Sequence, residues 1–194
     1  MGYGYVDSGA MYRAIAYAYA AKAPRSLETF LDEVHLTFSF DGGTKVFLDG
    51  EEISEAIRTP EMSLLASSFS QDPRVRAYLT RLQRQIGEKG GVVLEGRDAG
   101  SVVFPGAEVK FYLDAAIEER ARRRCLELEA HGAGPDLEAV KEEMEKRDRL
   151  DSERASAPLV CPEGAFCVDT TGRSIEEVVE ILKERVLSAC GQKA

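Results

Sequence analysis

Short apolar runs alternate with longer segments of helical periodicity along the chain. The apolar runs have the length of strands and lie at residues 3–6, 92–94, 109–113 and 165–168. The periodic segments predict helices that begin near residues 11, 60 and 73, and helices that span about 116–130, 137–154 and 175–190. Strands that alternate with helices predict an α/β fold with a parallel sheet flanked by helices.

A different pattern, strict alternation, covers residues 36–40. Leu36, Phe38 and Phe40 fall on one face of this segment, and the residues between them are polar. Residues 41–44 read Asp-Gly-Gly-Thr, and the apolar run 46–48 follows. The alternation, the glycine turn and the second run together predict a small antiparallel β insert in the α/β fold.

Local signals mark where several helices start. Thr59 and Asp72 each precede a proline, so each predicts a capped helix with proline in its first turn. Ser174 and Glu177 have the spacing of a capping box before the last helix. The glycine-rich residues 131–135 predict a flexible joint between two helices. The helix after Asp72 is predicted to bury one apolar stripe: Val75, Leu79, Leu82 and Ile86.

Charge and composition narrow the possible functions. The 194 residues fit one domain of ordinary size, and 44% of them are hydrophobic. The net charge of −9 argues against a nucleic-acid polymer as partner, because such binding rests on the neutralisation of phosphates. No apolar run approaches the roughly 20 residues that span a bilayer, and the N-terminus lacks the features of a secretory signal. We therefore expect a cytoplasmic protein that does not act at a membrane.

The cysteines do not predict a metal centre. Cys125, Cys161, Cys167 and Cys190 form no Cys-x-x-Cys pair, and the chain has only two histidines. A structural zinc site usually draws four Cys or His ligands at tight spacing. We therefore expect no metal site in the chain and unpaired thiols in a reducing compartment.

Residues 95–100, Glu-Gly-Arg-Asp-Ala-Gly, follow directly on a predicted parallel strand. Ligands of parallel sheets bind beyond the carboxyl ends of the strands. Arg97 and Asp98 can there offer a cation and an acceptor to one small ligand. An ordinary strand-to-helix turn with an ion pair explains the same residues equally well.

Arginines form two further groups. Arg147, Asp151 and Arg154 are spaced to share one helix face, which taken alone is more typical of a solvated face with ion pairs of about 0.3–0.5 kcal/mol. Arg13 and Arg76 lie near predicted helix starts, where backbone dipoles favour anions. A solvated face and a mobile flap that closes on phosphates are both compatible with the densest group. That group consists of Arg120, Arg122, Arg123 and Arg124.

Five motifs occur together, in one order, and resemble the cytidylate kinase family. They are residues 5–13 (Tyr-Val-Asp-Ser-Gly-Ala-Met-Tyr-Arg), 57–59 (Ile-Arg-Thr), 73–76 (Pro-Arg-Val-Arg), 96–98 (Gly-Arg-Asp) with 102–105 (Val-Val-Phe-Pro), and 147–159. The resemblance covers residues 3 to about 185. It implies a P-loop nucleoside-monophosphate kinase with a single core domain, a monophosphate-binding insert at residues 34–62 and a helical lid at residues 120–149.

The same resemblance implies a CMP site. Ser67, Arg76 and Asp98 are expected to read the cytosine edge, Ser67 and Asp98 as acceptors from the exocyclic amine and Arg76 as donor to the ring acceptors. An acceptor pair suits the amine of cytosine and not the carbonyl of uracil, which argues against UMP as substrate. The other implied substrate contacts are Arg147 and Asp151 on the ribose hydroxyls, and Arg13 on the α-phosphate with Ser8 close by.

The catalytic residues that the resemblance implies are all arginines. Arg97 and Arg154 are expected to grip the α-phosphate. The lid arginines, Arg120, Arg123 and Arg124, are expected to screen the charge on the transferred phosphoryl group, in line with a reaction that depends on positioning and charge stabilisation. The implied reaction moves the γ-phosphoryl group of ATP, with Mg²⁺, to CMP or dCMP, and we expect a monomer.

One part of the family pattern is absent from the sequence. The family begins with a strand and a G-x-x-x-x-G-K-[ST] loop that holds the ATP phosphates, and this chain has no Gly-Lys dipeptide. Residues 1–3 read Met-Gly-Tyr where the family commonly has Leu-Gly-Tyr. We therefore expect the first strand and the P-loop to be missing, through a mis-assigned start or a truncated gene. The alternative to an active kinase is an inactive fragment that retains only a CMP site.

Overall fold

A computed structural model of the chain describes residues 2–40, 43–130 and 132–191, with residue 190 described for its backbone only. The chain divides into two compact units, Met1–Ala99 and Gly100–Ala194. Each unit contains one parallel pair of strands together with helices.

The first unit combines its parallel pair with a small antiparallel sheet. Strand β1 (Gly4–Asp7) pairs with β5 (Val92–Glu95), and Asp7 lies opposite Glu95. The antiparallel sheet has the order β2 (Leu36–Ser39), β3 (Lys45–Leu48), β4 (Glu51–Glu52). The helices of this unit are α1 (Ser8–Lys22), α2 (Leu27–Glu33), α3 (Pro60–Phe69) and α4 (Pro73–Gly87).

The core of the first unit forms around α1. Met11 and Ile15 of this helix are fully buried, as are Val75 and Leu79 of α4, and all four belong to one apolar cluster. Full burial of an Ile, Leu or Met side chain contributes about 1.5–3 kcal/mol. This packing fixes the first turns of α1 in place, directly after the carboxyl end of β1.

The second unit pairs β6 (Phe111–Asp114) with β7 (Phe166–Asp169) in parallel. Its helices α5 (Ile117–Ala130) and α6 (Leu137–Glu153) pack on each other through a small buried cluster that includes Cys125 and Val140. Helix α7 (Ile175–Gly191) follows β7, and a π-helix, Ala99–Val103, follows β5 in sequence.

The helix starts confirm the predicted local signals. The Thr59 hydroxyl accepts from the amide of Met62 at 3.2 Å, and the Asp72 carboxylate accepts from the amide of Arg74 at 2.8 Å. The capping box is complete, because Ser174 Oγ accepts from the Glu177 amide and Glu177 Oε2 accepts from the Ser174 amide. Of the predicted stripe, Val75 and Leu79 are fully buried, and Leu82 and Ile86 are partly buried.

The structure differs from the sequence pattern in three respects. Helix α1 begins at Ser8 rather than near residue 11, and α2 and the π-helix were not predicted. The parallel strands form two separate two-stranded sheets instead of one, since a short apolar run identifies a strand but not its partner. Residues 41–42 of the predicted hairpin turn and residue 131 of the predicted joint lie outside the described residues. Among the helices in the described ranges, none combines the length and apolar character needed to cross a bilayer.

Candidate functional site

Asp7 joins the carboxyl end of β1 to the start of α1. Its Oδ1 accepts a hydrogen bond from the Ala10 amide at 2.9 Å, and its Oδ2 pairs with Nη2 of Arg13 at 3.1 Å. The cap explains why α1 begins directly after Asp7. The buried Nε of Arg13 makes no hydrogen bond to any described residue. The Arg13 guanidinium therefore keeps a buried donor for a further acceptor.

Ser8 and Gly96 approach each other closely, next to the carboxyl ends of β1 and β5. Ser8 is 6% exposed, and a Cβ on residue 96 would overlap the Ser8 hydroxyl. A Cβ on Gly9 would lie 3.0 Å from Oδ1 of Asp7. The missing side chain at Gly96 lets the backbone there lie against Ser8 at the N-terminus of α1, whose amides favour an anion.

Arg76 and Asp98 form a buried ion pair, and their side chains are 6% and 8% exposed. The Arg76 guanidinium also donates from Nη1 to the carbonyl of Ser70 at 3.1 Å and lies 5.8 Å from the centre of the Tyr12 ring. Such a pair is costly to bury and strongly destabilising to break on one side. It places a cationic donor beside an anionic acceptor at one point of the interior.

Ser67 is connected to this pair by hydrogen bonds, and Arg97 is a neighbour of Asp98 in the sequence. Ser67 is half-buried on α3, and its carbonyl accepts from the hydroxyl of Ser70, whose own carbonyl accepts from Arg76. Arg97 precedes Asp98 in the chain and is exposed. Within the first unit, the structure thus brings Arg76 and Asp98 into contact and connects Ser67 to them through Ser70.

In the second unit, Asp151 and Arg154 form a turn at the end of α6. The Arg154 side chain is 5% exposed and donates from Nε to the carbonyl of Ala157 at 2.6 Å and from Nη1 to Oδ1 of Asp151 at 3.3 Å. Ala157 has a φ of 51°, a left-handed conformation that is uncommon outside glycine. The amide of Leu159 donates to the carbonyl of Asp151 at 2.8 Å. Arg147, one turn earlier on α6, is exposed.

The arginines of α5 lie in three different environments. Arg120 pairs with Asp148 of α6 and donates from Nε to the carbonyl of Ala115 at 3.0 Å. Arg124 pairs with Glu127 at 3.0 Å on an exposed part of the helix. The environment of Arg123 is described below. The spacing of these arginines in the sequence did not indicate that their environments differ.

Arg123 connects α5 to the residues after β7. Its Nε donates to Glu119 at 2.7 Å, and its Nη2 and Nη1 donate to the carbonyl and the hydroxyl of Thr170 at 2.7 and 3.1 Å. Hydrogen bonds from Arg122 and then from Arg123 lower the pKa of Glu119 to about 2. In the described structure these bonds hold α5 to the residues after β7.

Two residues near the first group were not identified from the sequence as part of the site. One is Asp7, whose place at the end of a strand could have indicated a helix cap. The other is Thr44, whose hydroxyl donates to the carbonyl of Tyr5 at 2.6 Å and accepts from the amide of Asp7 at 3.1 Å. Thr44 thereby fastens the antiparallel insert to β1 across a separation of 37 residues, which no local pattern reveals.

Comparison with known proteins gives a consistent result. The model of the family described as "Cytidylate kinase" matches residues 1–188. A cytidylate kinase of Syntrophotalea carbinolica is 51% identical over 181 residues, which are 90% of this chain and 77% of that protein. Cytidylate kinases of Caldanaerobacter subterraneus and Enterococcus faecalis are 47% and 43% identical; the matches cover 96% and 94% of this chain and 84% of each relative.

Proposed function

The chain belongs to the cytidylate kinase family, and we propose that it transfers the γ-phosphoryl group of ATP to CMP or dCMP. The buried pair of Arg76 and Asp98 carries this proposal. Cytosine presents an amine donor beside ring acceptors, so it fits a carboxylate next to a guanidinium. Uracil presents a carbonyl where cytosine has its amine and would face the Asp98 carboxylate unfavourably. Ser67 is proposed as a second acceptor for the amine.

The proposed contacts of the α-phosphate begin at the N-terminus of α1. Ser8 and Arg13 lie there, and the spare Nε donor of Arg13 supports a role in binding an anion. Arg97 follows β5, at the type of position where parallel sheets bind ligands. Arg154 is proposed to complete the set of cations that hold the α-phosphate.

The second unit is proposed to hold the ribose and to screen the phosphoryl charge. Arg147 and Asp151 share a face of α6 and are assigned to the ribose hydroxyls. The arginines assigned to the transferred phosphoryl group are Arg120, Arg123 and Arg124. Residues 34–62, which contain the antiparallel sheet, are proposed as the monophosphate-binding insert, and residues 120–149 as the lid.

The proposed reaction uses Mg²⁺ as the companion of the ATP phosphates. Mg²⁺ is commonly held by one or two carboxylates together with substrate phosphates. Within residues 2–40, 43–130 and 132–191, no three Asp, Glu, His or Cys side chains lie close enough to form a metal site. The residues therefore do not fit a protein-only magnesium cage, and we assign no chemical step to the metal.

We further propose that the protein acts as a monomer in the cytoplasm. Light scattering coupled to size-exclusion chromatography measures the mass of the particle directly. A mass near 21.3 kDa supports the monomer, and twice that mass contradicts it.

A product assay tests the proposed reaction. The purified chain is incubated with ATP, Mg²⁺ and CMP, dCMP or UMP, and the nucleotides are separated by anion-exchange chromatography. We expect CDP and dCDP, with product from UMP lower by about a hundredfold or more. Failure to form CDP while CMP still binds would contradict the transfer and leave a nucleotide-binding function.

A further inference from the structure

Two cysteines outside the proposed nucleotide site contact each other. The Sγ atoms of Cys161 and Cys167 lie 3.1 Å apart, and both residues are exposed. Sequence spacing did not predict this contact, because five residues separate the two cysteines and they do not form a Cys-x-x-Cys pair.

The backbone holds both thiols in position. Gly164 adopts a left-handed φ of 72°, and the amide of Ala165 donates to the carbonyl of Pro162 at 3.0 Å, which closes a tight turn between the cysteines. Cys167 lies within β7 and pairs with Tyr112 of β6 in the parallel register. The turn therefore returns the chain so that Cys161 lies beside a cysteine fixed in a strand.

We propose that Cys161 and Cys167 form an intramolecular disulfide by exchange with a low-molecular-weight disulfide such as oxidised glutathione. The bond fastens the segment after α6 to β7. The preceding end of that segment is already held, by the bond from Arg154 to Ala157 and the bond from Leu159 to Asp151. Oxidation thus restrains the segment 155–165 at both ends.

The exchange proceeds in two balanced steps. The thiolate of one cysteine attacks a sulfur of oxidised glutathione, the S–S bond breaks, and one glutathione thiolate leaves. The thiolate of the second cysteine then attacks the protein sulfur of this mixed disulfide, and the second glutathione leaves. The two protein thiols give up two protons and two electrons in total, and oxidised glutathione becomes two molecules of reduced glutathione.

The contact favours the second step over a stable mixed disulfide. Short flexible linkers provide an effective concentration in the millimolar range, and a geometry that holds the groups in contact raises it. The native fold should therefore favour formation of the disulfide more strongly than the sequence spacing of the two cysteines does in an unfolded chain.

Titration with glutathione buffers tests the proposal. The full chain is equilibrated at a series of ratios of reduced to oxidised glutathione, quenched with acid and alkylated. Tryptic cleavage after Arg154 and Arg173 leaves both cysteines in one peptide, and further cleavage after Glu163 separates them unless they are linked. We expect the linked product. We also expect that the value of [GSH]²/[GSSG] at which half of the chains carry the disulfide is at least about tenfold higher for the native chain than for the chain in urea.

The single variants C161S and C167S supply the control. Each should retain one glutathione on the remaining cysteine of the pair, because the second thiol of the pair is absent and cannot expel it. Hydrogen exchange over residues 155–165 should be slower in the oxidised chain than in the reduced chain. Stable glutathione adducts on both cysteines of the unsubstituted chain, an equal half-oxidation ratio in urea, or unchanged exchange would overturn the proposal.

Discussion

Arg76 and Asp98 form an ion pair that is almost fully buried, although 22 residues separate them in the sequence. Arg76 belongs to the first turn of α4, and Asp98 lies just after β5. The pair thus joins a helix to the loop at the carboxyl end of a parallel strand. In the proposed function it recognises the cytosine base.

Replacement of Asp98 tests the contribution of this pair to the stability of the fold and its proposed contribution to CMP binding. Asp98→Asn keeps the shape of the side chain but leaves the buried Arg76 cation without its counter-charge. We expect the free energy of unfolding to fall by about 3 kcal/mol. We also expect CMP affinity to fall by more than tenfold under conditions where the variant is folded by circular dichroism. Urea denaturation and calorimetry measure the two effects.

Arg74→Gln is the matched control for this substitution. Arg74 lies two positions earlier on the same helix and pairs with Asp72 at 2.7 Å, but its side chain is 57% exposed. Exposed pairs contribute little to stability. Both unfolding and CMP binding should therefore remain close to the unsubstituted chain, and equal losses in the two variants would refute the assignment of Asp98.

The close approach of Gly96 to Ser8 gives a second prediction. Gly96→Ala places a methyl group against the Ser8 hydroxyl, and overpacking of this kind costs about 1–3 kcal/mol. The second substitution Ser8→Ala removes the overlapping oxygen, so the double variant should recover part of the lost stability. Gly106→Ala is the control, since nothing lies within 4 Å of its added Cβ. Additive losses in the double variant would contradict the steric explanation.

Arg123 and Arg124 should differ in their effect on stability. Arg123→Ala removes the bonds to Thr170 and Glu119, and the free energy of unfolding should fall by about 1–3 kcal/mol. Arg124→Ala should change it by less than about 0.5 kcal/mol, because its pair with Glu127 is exposed. Urea denaturation measures both variants. Equal stability of the two would show that the bonds of Arg123 do not hold α5 to the residues after β7.

The Glu119 carboxylate should make the stability of the fold depend on pH. Its pKa in the folded chain, about 2, lies below the ordinary 4.5 because Arg122 and Arg123 bond the carboxylate. A carboxylate whose pKa is lowered by folding stabilises the fold. This contribution is fully present at pH values above the ordinary pKa and is lost as the pH falls through the pKa of the folded chain. The stability advantage of the unsubstituted chain over Glu119→Gln should therefore be larger at pH 5 than at about pH 2. Glu129→Gln, on the same helix, is the control, and a pH-independent difference for Glu119→Gln would contradict the assignment.

Local features of the fold were predictable from the sequence, and distant pairings were not. The caps at Thr59 and Asp72 and the hairpin insert depend on neighbouring residues, so short-range patterns predict them. The bond of Arg123 to Thr170 spans 47 residues, and the contact of Cys161 with Cys167 depends on the turn at Gly164. Periodicity carries no information on such contacts.

For the site, likewise, short-range motifs were informative and the contacts of individual residues were not predictable. The ordered motifs indicated the family, and the comparisons confirm it. The individual roles of all the proposed site residues stay predictions, because the described contacts do not distinguish a ligand-binding from a structural role. The function of Arg13 is better supported, since its pair with Asp7 leaves a buried donor unused.

Calorimetric titration of the chain with CMP, and with UMP as the control, tests the cytosine site most directly. The proposed function predicts that CMP binds with an affinity at least about a hundredfold above that of UMP, since it assigns to the base a donor and an acceptor, Arg76 and Asp98, that match only cytosine. Asp98→Asn should remove most of this preference. Equal binding of the two nucleotides, or binding of neither by a chain that is folded by circular dichroism, would contradict the assignment of Arg76 and Asp98 to the base.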